Sequence, residues 1–316
     1  MKLYVANAPE QAALIQEAIV DTTAQYAPGG ITIELYPAEA GFSLESDGRI
    51  AKIGYSDTTS LLRAVGCLIA EGETPCSIRQ SPRFNKLGNM VDCSRNAVIT
   101  VEAFQKLVRM SALMGHNAFM LYTEDTYEIK SEPYFGWGRG RYSEEELQQM
   151  DAYAKRFGIE LIPCIQTLAH LKTMLNLPAM GKYRDIGDIL NVASEDTYVL
   201  IDKMLEAMHR NLSSRCINIG MDEAHMLGRG NYLKTQPYTE RSEIMRRHLA
   251  RVVELCRKWG YEPLMWDDMF FRVNSPTNQY KGSFVDEQTA ASLPGDLNMI
   301  YWDYSHPTKE PYQQML

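Results

Sequence analysis

A chain of 316 residues, 45% of them hydrophobic, has room for about two domains and a sizeable core, which excludes a disordered tail and a small disulfide-stapled scaffold. Acidic residues outnumber basic ones 40 to 32, and the net charge of −8 argues against a nucleic-acid partner, whose phosphates call for a basic surface. No apolar run reaches the ~18 residues of a membrane-spanning helix, and the N-terminal MKLYVANAPE turns polar too early for a secretory signal. The six cysteines are widely spaced and form no CxxC pair. The expectation is a cytoplasmic protein with no membrane partner, its cysteines acting as small buried thiols; self-association into a homo-oligomer is left open.

In chain order, KLYVAN at 2–7 reads as a strand and 9–26 as an amphipathic helix with Pro9 in its first turn. ITIELY at 31–36 alternates at period two, and a turn at Ser46-Asp47-Gly48 separates two further strands. Leu61, Leu62, Val65, Leu68 and Ile69 mark one face of a helix. These pieces predict a small α+β domain over residues 1–81, bounded by Gln80-Ser81-Pro82, where proline restricts the chain to extended geometry.

From residue 82 the pattern becomes strand, helix, strand, helix. Leu87–Asp92 is the first strand, followed by a helix over 101–115 with Thr100 as N-cap. The second strand is 117–125. Its helix starts at Ser143, with Glu146 at capping-box spacing, and ends at Gly158. Strands at 159–167, 216–223, 261–268 and 297–305 alternate with helices at 195–212, 240–259 and near 285–293. Runs of Ile, Leu and Met without alternation suit parallel strands buried on both faces.

This α/β pattern favours a (β/α)8 TIM barrel over a doubly wound sheet, because polar residues cluster where each strand ends: Asp92, Glu124–Asp125, Gln166, Asp222–Glu223, Asp267–Asp268 and Asp303. A doubly wound nucleotide binder would carry a glycine-rich loop after its first strand, and DCSRNAVIT has none. Only six strands are counted before Leu316. Closing eight would need roughly 60–100 more residues, so the expectation is a fragment with the C-terminal strands missing.

The most informative stretch is INIGMDEAH at 217–225. Adjacent carboxylates at a buried strand end are costly unless charge is useful there, the alternative being a solvated pair at a strand-to-loop junction. Neighbours on a strand point to opposite faces, so Asp222 and Glu223 share a pocket only if the backbone leaves strand geometry, which Gly220 makes easier.

Together with DCSR at 92–95, YTEDTY at 122–127, IPCIQTLAH at 162–170, NIGMDE at 218–223, WDD at 266–268 and YWD at 301–303, this stretch resembles glycoside hydrolase family 20, the β-N-acetylhexosaminidases, particularly its shorter bacterial members. The resemblance covers nearly the whole chain. Asn218 stands where many members carry His, and the last two barrel strands, which supply a further tryptophan, are absent.

The resemblance implies a glycoside hydrolase that removes terminal non-reducing N-acetyl-β-glucosamine or galactosamine with retention, without cofactor or metal. In this family the substrate's own 2-acetamido oxygen attacks and forms an oxazolinium intermediate. Carried over, Glu223 is the general acid and then base, and Asp222 stays ionised to orient the acetamido N–H. Tyr301 bonds the acetamido oxygen; Arg95 and Asp303 bind sugar hydroxyls; Trp266 stacks on the sugar or walls the acetamido methyl. His170 and Asp125 are expected as partners that tune Glu223. Trp302, opposite to Tyr301 by parity, is read as core.

Other features carry less. The loop GWGRGRY at 136–142 either lines the cleft or merely connects, and the seventeen methionines are read as core filler. No HxH, HExxH or GxSxG motif occurs. Two rivals stay open: a non-catalytic or vestigial sugar-binding barrel, and a metal-dependent hydrolase using Asp222, Glu223 and Asp267 as oxygen ligands.

Overall fold

Alternate burial drives the first sheet: Ile31, Ile33 and Leu35 are buried, while Thr32 and Glu34 between them are only half so. The computed structural model describes residues 1–273, 291–302 and 304. Packing divides the chain into two units, one of Met1–Val91, Ile99–Met120 and Gln148–Leu161, the other of Asp92–Val98, Leu121–Leu147 and Ile162–Leu316.

Strands β1 (Lys2–Val5), β2 (Gln25–Tyr26), β3 (Ile31–Pro37), β4 (Phe42–Ser46), β5 (Ile50–Tyr55) and β6 (Cys76–Gln80) form one sheet in the order β2-β1-β3-β5-β4-β6, with helices α1 (Pro9–Ala18) and α2 (Thr58–Glu71) connecting them. β1, β2, β3 and β5 pair in parallel, and β4 runs antiparallel to β5 and β6. The first helix is shorter than its apolar spacing predicts. Thr22 turns its hydroxyl and its N–H onto the Ile19 carbonyl (2.7 and 2.9 Å), closing a local turn in place of helix, and residues 25–26 then pair with β1. β6 was not read from sequence; CSIRQ lacks an apolar alternation, and β4 supplies its ladder.

The second sheet holds β7 (Gly88–Asp92), β8 (Ala118–Glu124), β9 (Glu160–Ile165), β12 (Cys216–Asn218), β13 (Glu262–Trp266) and β14 (Asn298–Ile300), each beside the next in the chain. The β9–β12, β12–β13 and β13–β14 pairings are parallel. Helices α3 (Val101–Leu113), α4 (Glu144–Arg156), α6 (Glu195–Asn211), α7 (Arg241–Lys258) and α8 (Asp268–Val273) follow successive strands; a short α5 (Lys172–Leu175) and the hairpin β10 (Arg184–Ile186)–β11 (Ile189–Leu190) precede α6. The sequential order is that of a (β/α) barrel. The helix expected near 285–293 lies largely outside the described residues. No helix among the described residues is long and apolar enough to cross a membrane.

The helix starts follow the sequence closely. Thr100 Oγ1 accepts from Ala103 N–H at 3.2 Å; Ser143 and Glu146 exchange side-chain and backbone bonds at 2.8 and 3.1 Å. β8 and β9 are buried on nearly every residue, as strands covered on both faces must be. α7 buries Ile244, Met245, Leu249, Val252 and Val253, and among them His248, which is fully buried.

His248 Nε2 donates to the Thr167 carbonyl at 3.0 Å, so that nitrogen carries the proton, and Nδ1 lies 3.2 Å from the Tyr198 hydroxyl, which donates to the Val192 carbonyl at 3.3 Å. Burial pushes its pKa down to about 4, against 6.5 for a free histidine. The unfolded chain therefore binds this proton first as pH falls. Stability drops from pH 6.5 downward, by up to about 3 kcal/mol at pH 4. Urea unfolding across this range is expected to show that slope in the native sequence and a flatter one in His248→Gln.

Candidate active site

The candidate residues gather at the strand ends of the second sheet. Strand geometry in β12 stops at Asn218, short of the expected carboxylate pair. Ile219 still bonds both neighbours: its N–H reaches the Leu264 carbonyl at 2.9 Å, and its carbonyl takes the Thr167 N–H and hydroxyl at 3.2 and 2.7 Å. Then the chain turns sharply. Gly220 has φ +73°, and a Cβ there would overlap Gln166 Oε1; Met221 and Glu223 also adopt positive φ, 72° and 54°. Left-handed non-glycine residues are strained and persist only where surroundings impose them.

The imposing group is Gln166, wholly buried at the end of β9. Its Oε1 accepts from Met221 N–H at 3.3 Å, and its Nε2 donates to Asp222 Oδ1 at 2.7 Å and to the Tyr122 hydroxyl at 2.8 Å. On the far side, Asp268 Oδ2 accepts from Glu223 N–H at 3.1 Å. This turn overcomes the parity problem: His170 Nε2 lies 3.0 Å from Asp222 Oδ2 and 3.5 Å from Glu223 Oε2. The Asp222 side chain is 11% exposed and that of Glu223 36%, so one is held inside and the other reaches open space. Burial pushes His170 down, but bonding to and the charge of Asp222 outweigh it, and its pKa is raised.

Arg95 is steered from three sides. Nη1 bonds Asp92 at 2.8 Å, Nη2 donates to the Tyr122 hydroxyl at 3.2 Å, and the guanidinium carbon sits 4.9 Å from the Tyr122 ring centroid. Nη2 also lies 3.8 Å from Glu124 Oε1 and 3.5 Å from His170 Nδ1. Asp92 itself accepts from Ser94 N–H and hydroxyl at 2.8 and 2.6 Å. Half of the Arg95 side chain stays exposed, leaving donors for a ligand.

Of the residues singled out from sequence, Asp222, Glu223, His170 and Arg95 come together. Trp266 ends β13, and its N–H bonds the Gly220 carbonyl at 3.2 Å. Its ring is buried, and its Nε1 has no hydrogen-bond partner among the described residues. Asp125, expected beside Glu223, is buried against Arg139, 3.1 Å away, whose other terminal nitrogen donates to the Ser94 carbonyl. Tyr301 and Trp302 are half-buried; Asp303 lies outside the described residues. Among those residues no three His, Cys, Asp or Glu side chains are grouped to hold a metal ion.

Glu124, Tyr122, Gln166 and Asp268 were not assigned to the site from sequence. Strand parity held the signal for two of them, since Tyr122 and Glu124 share a face of β8 and Asp125 does not. Burial raises the Glu124 carboxyl to about 7 despite the nearby Arg95 and His170.

A family description, glycosyl hydrolase family 20, catalytic domain, matches residues 84–302, more than half of the chain. The chain belongs to this family. Hexosaminidase D of Bos taurus is 25% identical over 201 residues, 60% of this chain and 55% of that protein. A β-hexosaminidase of Vibrio furnissii is 27% identical over 259 residues, 67% of this chain and 42% of that protein. The chain thus spans about half the length of the curated relatives it matches. Its fold matches the solved family-20 exo-β-N-acetylglucosaminidase of Vibrio harveyi with a TM-score of 0.72 at 20% identity, over 99% of this chain and 56% of that one. It matches the β-N-acetylhexosaminidase of Bacteroides fragilis with 0.70 at 18% identity, over 99% of this chain and 68% of that one. These likenesses give the fold, a (β/α) barrel of which six strands are described here. Asn218 is buried and accepts at its Oδ1 from Gly220 N–H at 2.9 Å, closing the turn before the carboxylate pair.

With glutamate carboxyls 13C-labelled, NMR titration should show one signal, absent in Glu124→Gln, with a midpoint near pH 7. A Glu124 midpoint in the ordinary range near pH 4.5 would contradict this placement.

Proposed function

We propose that the protein is a retaining exo-β-N-acetylhexosaminidase, cleaving terminal non-reducing N-acetyl-β-glucosamine or galactosamine through the substrate's own acetamido group. The observation that carries this reading is the single imidazole of His170 within 3.5 Å of both Asp222 and Glu223, which sets two carboxylates of unequal exposure side by side. Substrate-assisted cleavage needs such a pair: one carboxylate that stays charged and fixed, and one that exchanges protons at the cleft.

Asp222 suits the first task. Gln166 Nε2 donates to one oxygen and the His170 ring lies 3.0 Å from the other, which leaves further lone pairs for an acetamido N–H; its negative charge would offset the positive charge that develops on the cyclising amide. Glu223 suits the second. The more exposed of the two, it would protonate the glycosidic oxygen and then take a proton from the incoming water. His170, touching both, would pass the effect of one ionisation to the other. Arg95, presented as a fork by Asp92 and Tyr122, would bind adjacent sugar hydroxyls.

Trp266 would wall the acetamido methyl, and Tyr301 would hold the acetamido oxygen against the anomeric carbon. Such fixing of an internal nucleophile is worth ~7–11 kcal/mol of barrier. Asp303 is assigned to the outer hydroxyls on the family motif alone. Asp125, clamped by Arg139, would act on the loop that carries Arg95, through the Ser94 carbonyl. Residues 1–81 form the accessory α+β part in this reading.

With 4-nitrophenyl N-acetyl-β-glucosaminide, Glu223→Gln is expected to lower kcat by about 10²–10⁴-fold with the unfolding midpoint unchanged. Saturable sugar binding by a native chain without turnover would favour the non-catalytic reading instead. A substrate with 2-hydroxyl in place of acetamido should be cleaved at least ~10³-fold more slowly, since the internal nucleophile is then gone; equal rates would exclude acetamido participation.

A further inference from the structure

One cavity, with a volume of about 570 Å³, is lined wholly by residues of the first packing unit. Arg63 of α2, Arg79 of β6 and Arg83 line it, and no Asp or Glu does. None of the three arginines joins an ion pair among the described residues, although the chain has more acids than bases and pairs Arg95, Arg109, Arg139, Arg156, Arg251 and Arg257 with carboxylates. Three guanidiniums without a carboxylate partner among the described residues give the cavity a positive potential that favours an anionic ligand.

One of these arginines is pre-set. Arg63 Nε donates to Gln80 Oε1 at 3.2 Å, and neither terminal nitrogen makes a hydrogen bond among the described residues. Its stem packs on Gly115, whose φ is +83° and where an added Cβ would lie 3.0 Å from Arg63 Cδ. Beside this charge sits His116, held below its ordinary pKa first by burial and then by Arg63. Phe84, Leu87 and Met114 also line the cavity, exposed by 68, 49 and 49%, and give it an apolar wall.

We propose that this cavity binds a sugar-sized ring bearing a phosphate or sulfate ester. A tetrahedral oxyanion accepts from several guanidiniums at once. The apolar wall supplies a face for the ring, and Ser81 on the lining supplies a polar group for a hydroxyl. The volume lies within the ~300–1,000 Å³ of small-molecule pockets and is small for a folded partner. The assignment does not depend on the hydrolase reading, because none of these residues belongs to the carboxylate site.

Calorimetric titration of the whole chain with glucose 6-phosphate, glucose 6-sulfate, glucose and inorganic phosphate, at low and high salt, tests it. At least one ester should bind saturably, about tenfold or more tighter than inorganic phosphate, and more weakly at high salt; glucose should not bind. The tighter ester identifies which oxyanion the site prefers. Arg79→Gln with Arg83→Gln should weaken ester binding by at least about tenfold with an unchanged unfolding midpoint, and Phe84→Ala should weaken the ester and spare inorganic phosphate. Three results would overturn the proposal: no saturable ester binding, binding undiminished by the arginine substitutions, or inorganic phosphate binding as tightly as the esters.

Discussion

The buried carboxamide of Gln166 holds a backbone N–H, an acid and a phenol at once, and the site's geometry follows from that grip. By accepting from Met221 and donating to Asp222, it stabilises a left-handed turn that the chain would not adopt alone. Residues 222 and 223, which strand alternation would send to opposite faces, are thereby brought to one imidazole. Asp268 holds the other end of the turn through Glu223 N–H, and Thr167 pins its start at the Ile219 carbonyl. The partners come from β9 and from the start of α8, so the turn is secured by elements distant in sequence.

The charges around this turn are balanced in a small space. Asp92, Glu124, Asp222 and Glu223 face Arg95 and His170, with separations from 2.8 to 3.8 Å. Four acids against an arginine and one histidine would leave an excess of negative charge if all were ionised. Burial answers part of this by raising Glu124 to about 7, and the Asp222 charge answers part by raising His170. The two sit on shared neighbours, so the proton content of the cluster near neutral pH belongs to the group and not to one residue.

Arg95 and Asp125 show how rigid elements set a flexible side chain. Arg139 ties the buried Asp125 to the Ser94 carbonyl, and Asp92 with Tyr122 orients the next residue's guanidinium. A long side chain that would lose much rotamer freedom on meeting a ligand is thus ordered beforehand, which lowers the cost of recognition. The arginines around the first unit's cavity differ: among the described residues, only Arg63 is braced, by Gln80 and Gly115.

Much of this protein could be read from residue order alone. Period-two burial over 31–35, the caps at Thr100 and Ser143, and apolar runs at the parallel strands are local matters of side-chain periodicity and short-range hydrogen bonds, so the elements and the barrel pattern appear in the sequence. So do the acids at the strand ends, because a desolvated carboxylate is chemically conspicuous wherever it falls. Tertiary structure decided how those acids meet. Parity alone keeps Asp222 and Glu223 apart, and only Gln166, more than fifty residues earlier, holds the turn that joins them. It likewise placed Glu124, and not Asp125, beside Arg95, and it gathered Arg63, Arg79 and Arg83 around one cavity. Contacts between distant segments fix such positions, and neither the spacing nor the type of neighbouring residues encodes them.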